Sequence, residues 1–388
     1  MSVAIVGWAH SQFGKLDDVD LETLIVEVAR GALDDARVDA DDIDGIWLGN
    51  LNGGFVPEIF CSSLVLQAAE GLRWKPAVRV ENACASGSAA IYSALNAIRA
   101  GAARIALVVG AEKMSGVPGR EATRILGNCS YVKEEAAIDQ GFAGIFAQIA
   151  ETYFARYGDQ SAALARIAAK NHHNGILNPW AHMRKDLDFT FCNTVSERNP
   201  LIAGPLRKTD CSLVSDGAAA LVLADASLLS DFRRAVGFRA TAHVNDFLPM
   251  SRRDPVAFEG PRRAWRAALD AARINVNDLS FAEVHDCFTI AELLAYEAMG
   301  LAAPGHGARV IDDGTVQRDG RLPVNASGGL KAKGHPIGAT GVSMHAISAA
   351  QLCNDAGDMQ IPGAVLGGVF NMGGSAVANY VSVLERVK

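Results

Sequence analysis

The chain lacks the features that mark several protein classes. It has no apolar stretch long enough to span a bilayer, so no membrane span is expected. It has no basic run: 36 Lys and Arg stand against 43 Asp and Glu, a net charge of −7, which disfavours nucleic acid as the main partner. The seven cysteines (Cys61, Cys84, Cys129, Cys192, Cys211, Cys287 and Cys353) are odd in number and form no CxxC pair. Neither a zinc site nor a disulfide framework is therefore indicated, and free thiols are expected. No basic n-region or cleavable apolar segment precedes the strand-like Val3-Ala4-Ile5-Val6-Gly7, and Arg386-Val387-Lys388 is not a peroxisomal address. The default expectation is a cytoplasmic location.

With 49% hydrophobic content over 388 residues, the chain can bury a large core, as two domains or one duplicated one. Periodicity predicts a strand over Val3 to Val6, an amphipathic helix from about Leu21 to Ala36, and strands over Gly45 to Gly49 and Ile105 to Val109. This alternation predicts a largely parallel, buried sheet. The helix tail Ala32-Leu33-Asp34-Asp35-Ala36-Arg37-Val38-Asp39 recurs downstream as Ala268-Leu269-Asp270-Ala271-Ala272-Arg273-Ile274-Asn275. Each copy follows a helix and precedes a strand, so the period indicates two related α/β halves rather than a solenoid. From Gly116 to about Lys208 the pattern changes to helices broken by polar loops, which reads as an inserted loop domain. Residues 1–115 and 209–233 then form the first half, 116–208 the loop domain and 234–388 the second half.

Four stretches carry chemistry. In Glu81-Asn82-Ala83-Cys84-Ala85-Ser86-Gly87-Ser88, a strand end passes into a helix, and small neighbours keep bulk away from the Cys84 sulfur. The positive end of the following helix favours a thiolate there, which makes Cys84 a candidate nucleophile; the alternative is a buried structural cysteine. His285-Asp286-Cys287-Phe288 sits at a second strand-to-helix turn, where parallel sheets place active sites. Asn325 to Gly341 is a glycine-rich loop with His335 ahead of a small-residue helix. Finally, the strand Ala364-Val365-Leu366 is followed by Phe370-Asn371-Met372-Gly373-Gly374-Ser375-Ala376, whose backbone N–H groups suit an oxyanion.

Together these stretches resemble the thiolase superfamily, and most closely the thiolases related to sterol carrier protein 2, over essentially the whole chain. The resemblance implies a five-layered α-β-α-β-α fold of two like halves and an acyltransferase that cleaves a 3-oxoacyl-CoA with coenzyme A, or runs the reverse Claisen condensation. It implies that Cys84 carries the acyl group and that His335 of the GHP motif is its base and part of an oxyanion hole. In degradative thiolases NEAF takes the place of HDCF, and a second cysteine lies in a carboxy-terminal CxG. Here that CxG reads Asn371-Met372-Gly373, without a thiol. By resemblance Cys287 inherits the acid/base task, His285 joins it, and Gly373 keeps a backbone oxyanion role. No metal or covalent cofactor is implied, and CoA is the co-substrate.

A related aldolase group lacks the nucleophilic cysteine, so Cys84 argues for acyl transfer over retro-aldol cleavage of a CoA ester and over a non-catalytic subunit. The resemblance also implies a homodimer and a small OB-fold, zinc-ribbon partner protein. The run Ile105 to Val109 is apolar enough to pair across a two-fold axis, and equally suits an ordinary central strand. His172 and His173 read as surface or loop-packing groups, and Cys61, Cys129, Cys192, Cys211 and Cys353 as small buried hydrophobes. Trp180, Arg184 and Lys185, with Arg252, Arg253, Arg262 and Arg263, are candidates to face a nucleotide or a solvated loop surface.

Overall fold

The computed structural model describes residues 2–388. Its strands are β1 (Val3–His10), β2 (Gly45–Gly49), β3 (Ala77–Val80), β4 (Ile105–Glu112), β5 (Leu201–Ala203), β6 (Leu206–Arg207), β7 (Gly217–Asp225), β8 (Val236–Asn245), β9 (Phe281–Val284), β10 (Leu366–Gly373) and β11 (Ala378–Arg386). β5 and β6 form a small hairpin, and the others form one sheet in the order β3-β2-β4-β7-β1-β8-β11-β10-β9. Among the described residues its two blocks join where Ala4 pairs with Gly237 and Ile5 with Val236. Only β2–β3, β2–β4 and β9–β10 are parallel, so the expectation of a largely parallel sheet is corrected to a mixed one. The strands read as continuous apolar runs because helices cover both faces, which says nothing of direction.

The helices are α1 (Leu21–Ala36), α2 (Ser86–Arg99), α3 (Gly119–Gly127), α4 (Val132–Glu135), α5 (Phe142–Tyr157), α6 (Ser161–Ile176), α7 (Phe189–Asn193), α8 (Glu259–Ala272), α9 (Thr289–Ala298), α10 (Ala308–Asp312), α11 (Gly329–Lys333) and α12 (Ile337–Leu352). α1 buries Leu24, Ile25 and Val28 against the outer face of the first block. α8 packs Trp265 and Ala268 on the outer face of the second. Between the blocks lie α2 and α12, touching β4 on one side, with α12 also against β10 and β11 on the other. These are the five layers. Every residue of α12 is buried, as a helix without a polar face requires. Segment 116–208 carries α3 to α7 and the β5–β6 hairpin.

The repeated tails adopt the same geometry. α1 and α8 both end on an arginine at φ 55, Arg37 and Arg273. The next N–H groups, of Val38 and Ile274, return to the Leu33 and Leu269 carbonyls, both at 3.1 Å. A short 3-10 turn follows in each copy, and then β2 or β9. Of the two readings of Ile105 to Val109, the central strand holds and the two-fold edge does not: the run lies in β4, which is paired on both sides by β2 and β7. It has no free edge for a second chain. The Asn371-Met372-Gly373 triplet also lies within β10 rather than after a shorter strand, because β11 carries the ladder on to Gly373 after the pairing with β9 has ended at Phe370.

β4 ends in Glu112, fully enclosed by the ends of other elements. Its Oε1 accepts from Asn50 Nδ2 (3.0 Å) and the Asn52 N–H (2.8 Å), and its Oε2 from the N–H groups of Leu51 (2.9 Å) and Gly338 (3.0 Å). One carboxylate thus holds the turn after β2 to the first turn of α12. Burial pushes it up to about 7 against these donors. Glu112→Gln replaces an acceptor oxygen by an NH₂ group facing two donors. It is expected to lower the unfolding free energy by roughly 1–3 kcal/mol, read by chemical denaturation at pH 8; an unchanged midpoint would refute this account of the carboxylate.

Candidate active site

Three chain segments converge at the carboxyl ends of the strands. Between β3 and α2, Ala83 sits at φ 49, a conformation that costs a non-glycine residue energy and is held by its surroundings. The Asn82 N–H donates to Ser86 Oγ (2.9 Å), that hydroxyl donates to the Ala83 carbonyl (2.7 Å), and Asn82 Nδ2 donates to the Tyr380 hydroxyl (2.8 Å). Cys84 is presented at the tip of this turn. After β9 come His285 and Cys287, as expected for the HDCF stretch. His335 follows α11 through Gly334, whose φ of 111 only glycine adopts readily and where a Cβ would meet Ser215 Oγ at 2.8 Å.

The ligating atoms of Cys84, His285 and His335 all lie within 4.8 Å of one another. The two imidazoles meet edge to face, with centroids 5.0 Å apart at 86°. Cys84, Cys287 and His335 line one cavity of about 280 Å³ whose other walls include Met114, Leu126, Phe142, Phe288 and Ile337. Phe146 stacks behind Phe288 at 4.5 Å.

Burial dominates the electrostatics. The N–H groups of Gly374 and of Cys84 itself approach the Cys84 sulfur, yet burial pushes its thiol up to about 12. The N–H groups do favour the thiolate, as expected of a helix start, but desolvation outweighs them. Burial, and then Lys333, brings His335 down to about 3. Burial, then His335 and Lys333, holds His285 well below the usual imidazole range. Burial, then Cys84 and Asp286, holds the Cys287 thiol well above its ordinary value. All four groups are neutral at rest near pH 7.

Hydrogen bonds assign the His335 tautomer. The Thr340 hydroxyl donates to the Pro336 carbonyl (2.9 Å), so the same oxygen accepts the Nδ1–H of His335 (2.7 Å). His335 Nε2 therefore keeps its lone pair and has no partner among the described residues. On the other ring, His285 Nδ1 stands 2.9 Å from Asn371 Nδ2.

Other expected positions lie elsewhere. Gly373 packs on the nucleophile turn, where a Cβ would meet the Asn82 carbonyl at 2.5 Å, while its neighbour Gly374 borders the cavity. Cys129 and Cys211, read as buried fillers, also line the cavity. His172 is buried and His173 exposed beside Asp186. Trp180 stacks on His10 at 4.9 Å, Arg184 donates to the Ile176 carbonyl, Arg253 to the Ser375 carbonyl, Arg262 to the Ala257 carbonyl, Arg252 lies over Phe247 and Arg263 pairs with Glu259. None of these residues, nor Lys185, lines the cavity. All seven cysteines are free thiols.

Residues 3–227 match the family description "Thiolase, N-terminal domain", and residues 242–386 match "Thiolase C-terminal domain-like". The chain belongs to the thiolase family. It is 36% identical to the acetyl-CoA acetyltransferase of Methanothermobacter thermautotrophicus over 99% of each chain. It is 30% identical to human sterol carrier protein 2, covering 97% of this chain and 70% of that one. Among solved structures, an Ltp2-ChsH2(DUF35) aldolase aligns with a TM-score of 0.84 at 20% identity over 99% and 97% of the two chains. Human mitochondrial 3-ketoacyl-CoA thiolase in complex with CoA aligns at 0.77 with 18% identity over 100% and 98%. These likenesses bear out the five-layered thiolase fold.

In this thiolase a neutral thiol beside a neutral imidazole has a direct consequence. Because the Cys84 value is raised, its thiolate fraction grows with pH throughout the neutral range. Alkylation of Cys84 by iodoacetamide is expected to rise about tenfold per pH unit from 7 to 10, followed by mass spectrometry. A rate already on a plateau at pH 7 would show a preformed ion pair instead.

Proposed function

We propose that this thiolase-type acyltransferase catalyses CoA-dependent thiolytic cleavage of a 3-oxoacyl-CoA, or the reverse Claisen condensation, through an acyl-cysteine on Cys84. The observation that carries the reading is the convergence of Cys84, His285 and His335 within 4.8 Å beside the cavity that Cys287 also lines. His335 Nε2, the unpartnered acceptor, takes the Cys84 proton, and the sulfur attacks the 3-oxo carbon. Backbone N–H groups at Cys84 and Gly374 face the oxyanion that forms. The C2–C3 bond then breaks, leaving an acyl thioester on Cys84 and an acetyl-CoA enolate. His285 donates a hydrogen bond to the enolate oxygen, and the Cys287 thiol gives its proton to the enolate carbon. The Cys287 thiolate next takes the proton of an incoming CoA thiol, which attacks the thioester. Cys84 leaves as thiolate and recovers its proton from His335. The apolar wall around Phe142, Phe288 and Leu126 suits an apolar acyl group.

Intact-protein mass spectrometry with a panel of 3-oxoacyl-CoA esters tests this. Wild-type protein gains the acyl mass, and Cys84→Ala does not. Cys287→Ala still alkylates at Cys84 but turns over ~100- to 10,000-fold more slowly, the range for a positioned acid/base. Cleavage without any adduct would instead favour the retro-aldol lyase, and no cleavage of any ester a non-catalytic subunit.

We further propose a homodimer, moved from β4 to the open strand β3. Val78 is 48% exposed on that edge and Trp74 beside it 84%, an unprotected strand that pairs with its own copy about a two-fold axis. A small OB-fold, zinc-ribbon partner is proposed on the resemblance and on the name of the Ltp2-ChsH2(DUF35) assembly. Light scattering is expected to give twice the chain mass, and Val78→Pro to give the monomer. A wild-type monomer at micromolar concentration that turns over would refute the dimer.

A further inference from the structure

Asn371 stands where the CxG motif would place a cysteine, and it is fully buried. Its amide bridges three segments. Nδ2 donates to the Cys84 carbonyl (3.2 Å) and stands 2.9 Å from His285 Nδ1, while Oδ1 accepts from the Ser88 hydroxyl (2.8 Å). Gly341 on α12 leaves room for this group, since a Cβ there would meet Asn371 Oδ1 at 2.6 Å. The orientation follows from chemistry. A backbone carbonyl only accepts, so the amide must turn its nitrogen toward Cys84; the reverse would set two carbonyl oxygens against each other. The second proton of Nδ2 then points at His285 Nδ1, which must be the bare nitrogen. The ring proton of His285 is therefore on Nε2, an atom with no partner among the described residues.

We propose that Asn371 is a positioning residue that fixes His285 in the Nε2–H tautomer and so makes it a hydrogen-bond donor to the reacting thioester oxygen. The two histidines thereby take opposite roles. Thr340 draws the His335 proton to Nδ1 and leaves Nε2 as a base, while Asn371 donates to His285 Nδ1 and leaves Nε2–H as a donor. A carboxylate at position 371 would accept Nδ1–H and strip the donor from the neutral ring. Alanine would leave the choice open. This assignment rests on the thiolase reading for its role in turnover but not for the tautomer itself.

The test uses the full chain with ¹⁵N-labelled histidine and three proteins: wild type, Asn371→Ala and Asn371→Asp. In the wild type the His285 spectrum is expected to show a protonated Nε2 and a bare Nδ1 at neutral pH. In Asn371→Asp the new carboxylate, set against Nδ1, raises the His285 value from its depressed position. Below that ionisation the imidazolium still presents Nε2–H. Above it the neutral ring carries its proton on Nδ1, so kcat should fall about tenfold per pH unit with KM little changed. Asn371→Ala should lower kcat, by less than the ~100- to 1,000-fold that loss of an oxyanion donor costs, with no added ionisation. A protonated Nδ1 on wild-type His285, or identical pH profiles for the two variants, would overturn the assignment. Absence of thiolysis in the wild type would refute the thiolase reading and leave the spectrum to decide the tautomer.

Discussion

The site depends on a backbone-to-backbone approach between the two middle helices. A Cβ on Gly87 of α2 would lie 2.8 Å from the Gly338 carbonyl of α12, and one on Gly341 would lie 2.3 Å from the Ser88 N–H. Gly338 is equally confined, 2.4 Å from the Ala111 carbonyl by the same measure. Side chains would hold helix axes several ångströms further apart, so only this glycine seam brings the two helix starts together. Cys84 lies just before one start and His335 just before the other. α12 is buried along its whole length, and neither helix can slide without losing packing on both sheet blocks.

Neutrality in so enclosed a site is the consequence. Lys333 is buried, its Nζ has no hydrogen-bond partner among the described residues, and its charge acts against protonation of both His285 and His335. A thiolate–imidazolium pair is therefore costly at rest and becomes favourable only where a substrate oxygen draws charge toward the N–H groups. Asp286, between the two reactive members of its motif, serves the frame. It accepts from the N–H groups of Leu330 (2.6 Å) and Lys331 (3.2 Å) and from Asn171 Nδ2 (2.7 Å). It thus ties the turn after β9 to the segment that carries His335 and to α6 of the loop segment.

Local features were legible in the sequence, and long-range ones were not. The bounds of α1 and β2, the start of α9 and the shared tails of α1 and α8 follow from periodicity and capping, which act within a few residues. Strand direction, the two-sided pairing of β4 and the extent of β10 depend on neighbours distant in the chain. Trp180 looked available to a nucleotide because nothing local places His10 beneath it. Cys84 and His335 stood out by their settings. Asn371 did not, although its stretch was singled out, because its partners Ser88, Cys84 and His285 are 283, 287 and 86 residues away.

The duplication explains why Asn371 occupies that position. The sheet runs inward to the β1–β8 junction as β2-β4-β7-β1 from one half and as β9-β10-β11-β8 from the other, so β4 corresponds to β10 and the turn after β2 to the turn after β9. Near the end of β4, Glu112 binds the turn 50–52 and the start of α12, in the opposite half. Near the end of β10, Asn371 binds His285 in the turn after β9 and the start of α2, again in the opposite half. Each half thus sends one polar side chain across the seam to hold the other's helix start. In the first half every partner is an N–H donor, so a carboxylate, which only accepts, satisfies them all. In the second half the partners are a carbonyl, a hydroxyl and an imidazole nitrogen. An amide, with two donors and an acceptor on one planar group, meets all three, and a thiol at the same position would meet at most one or two.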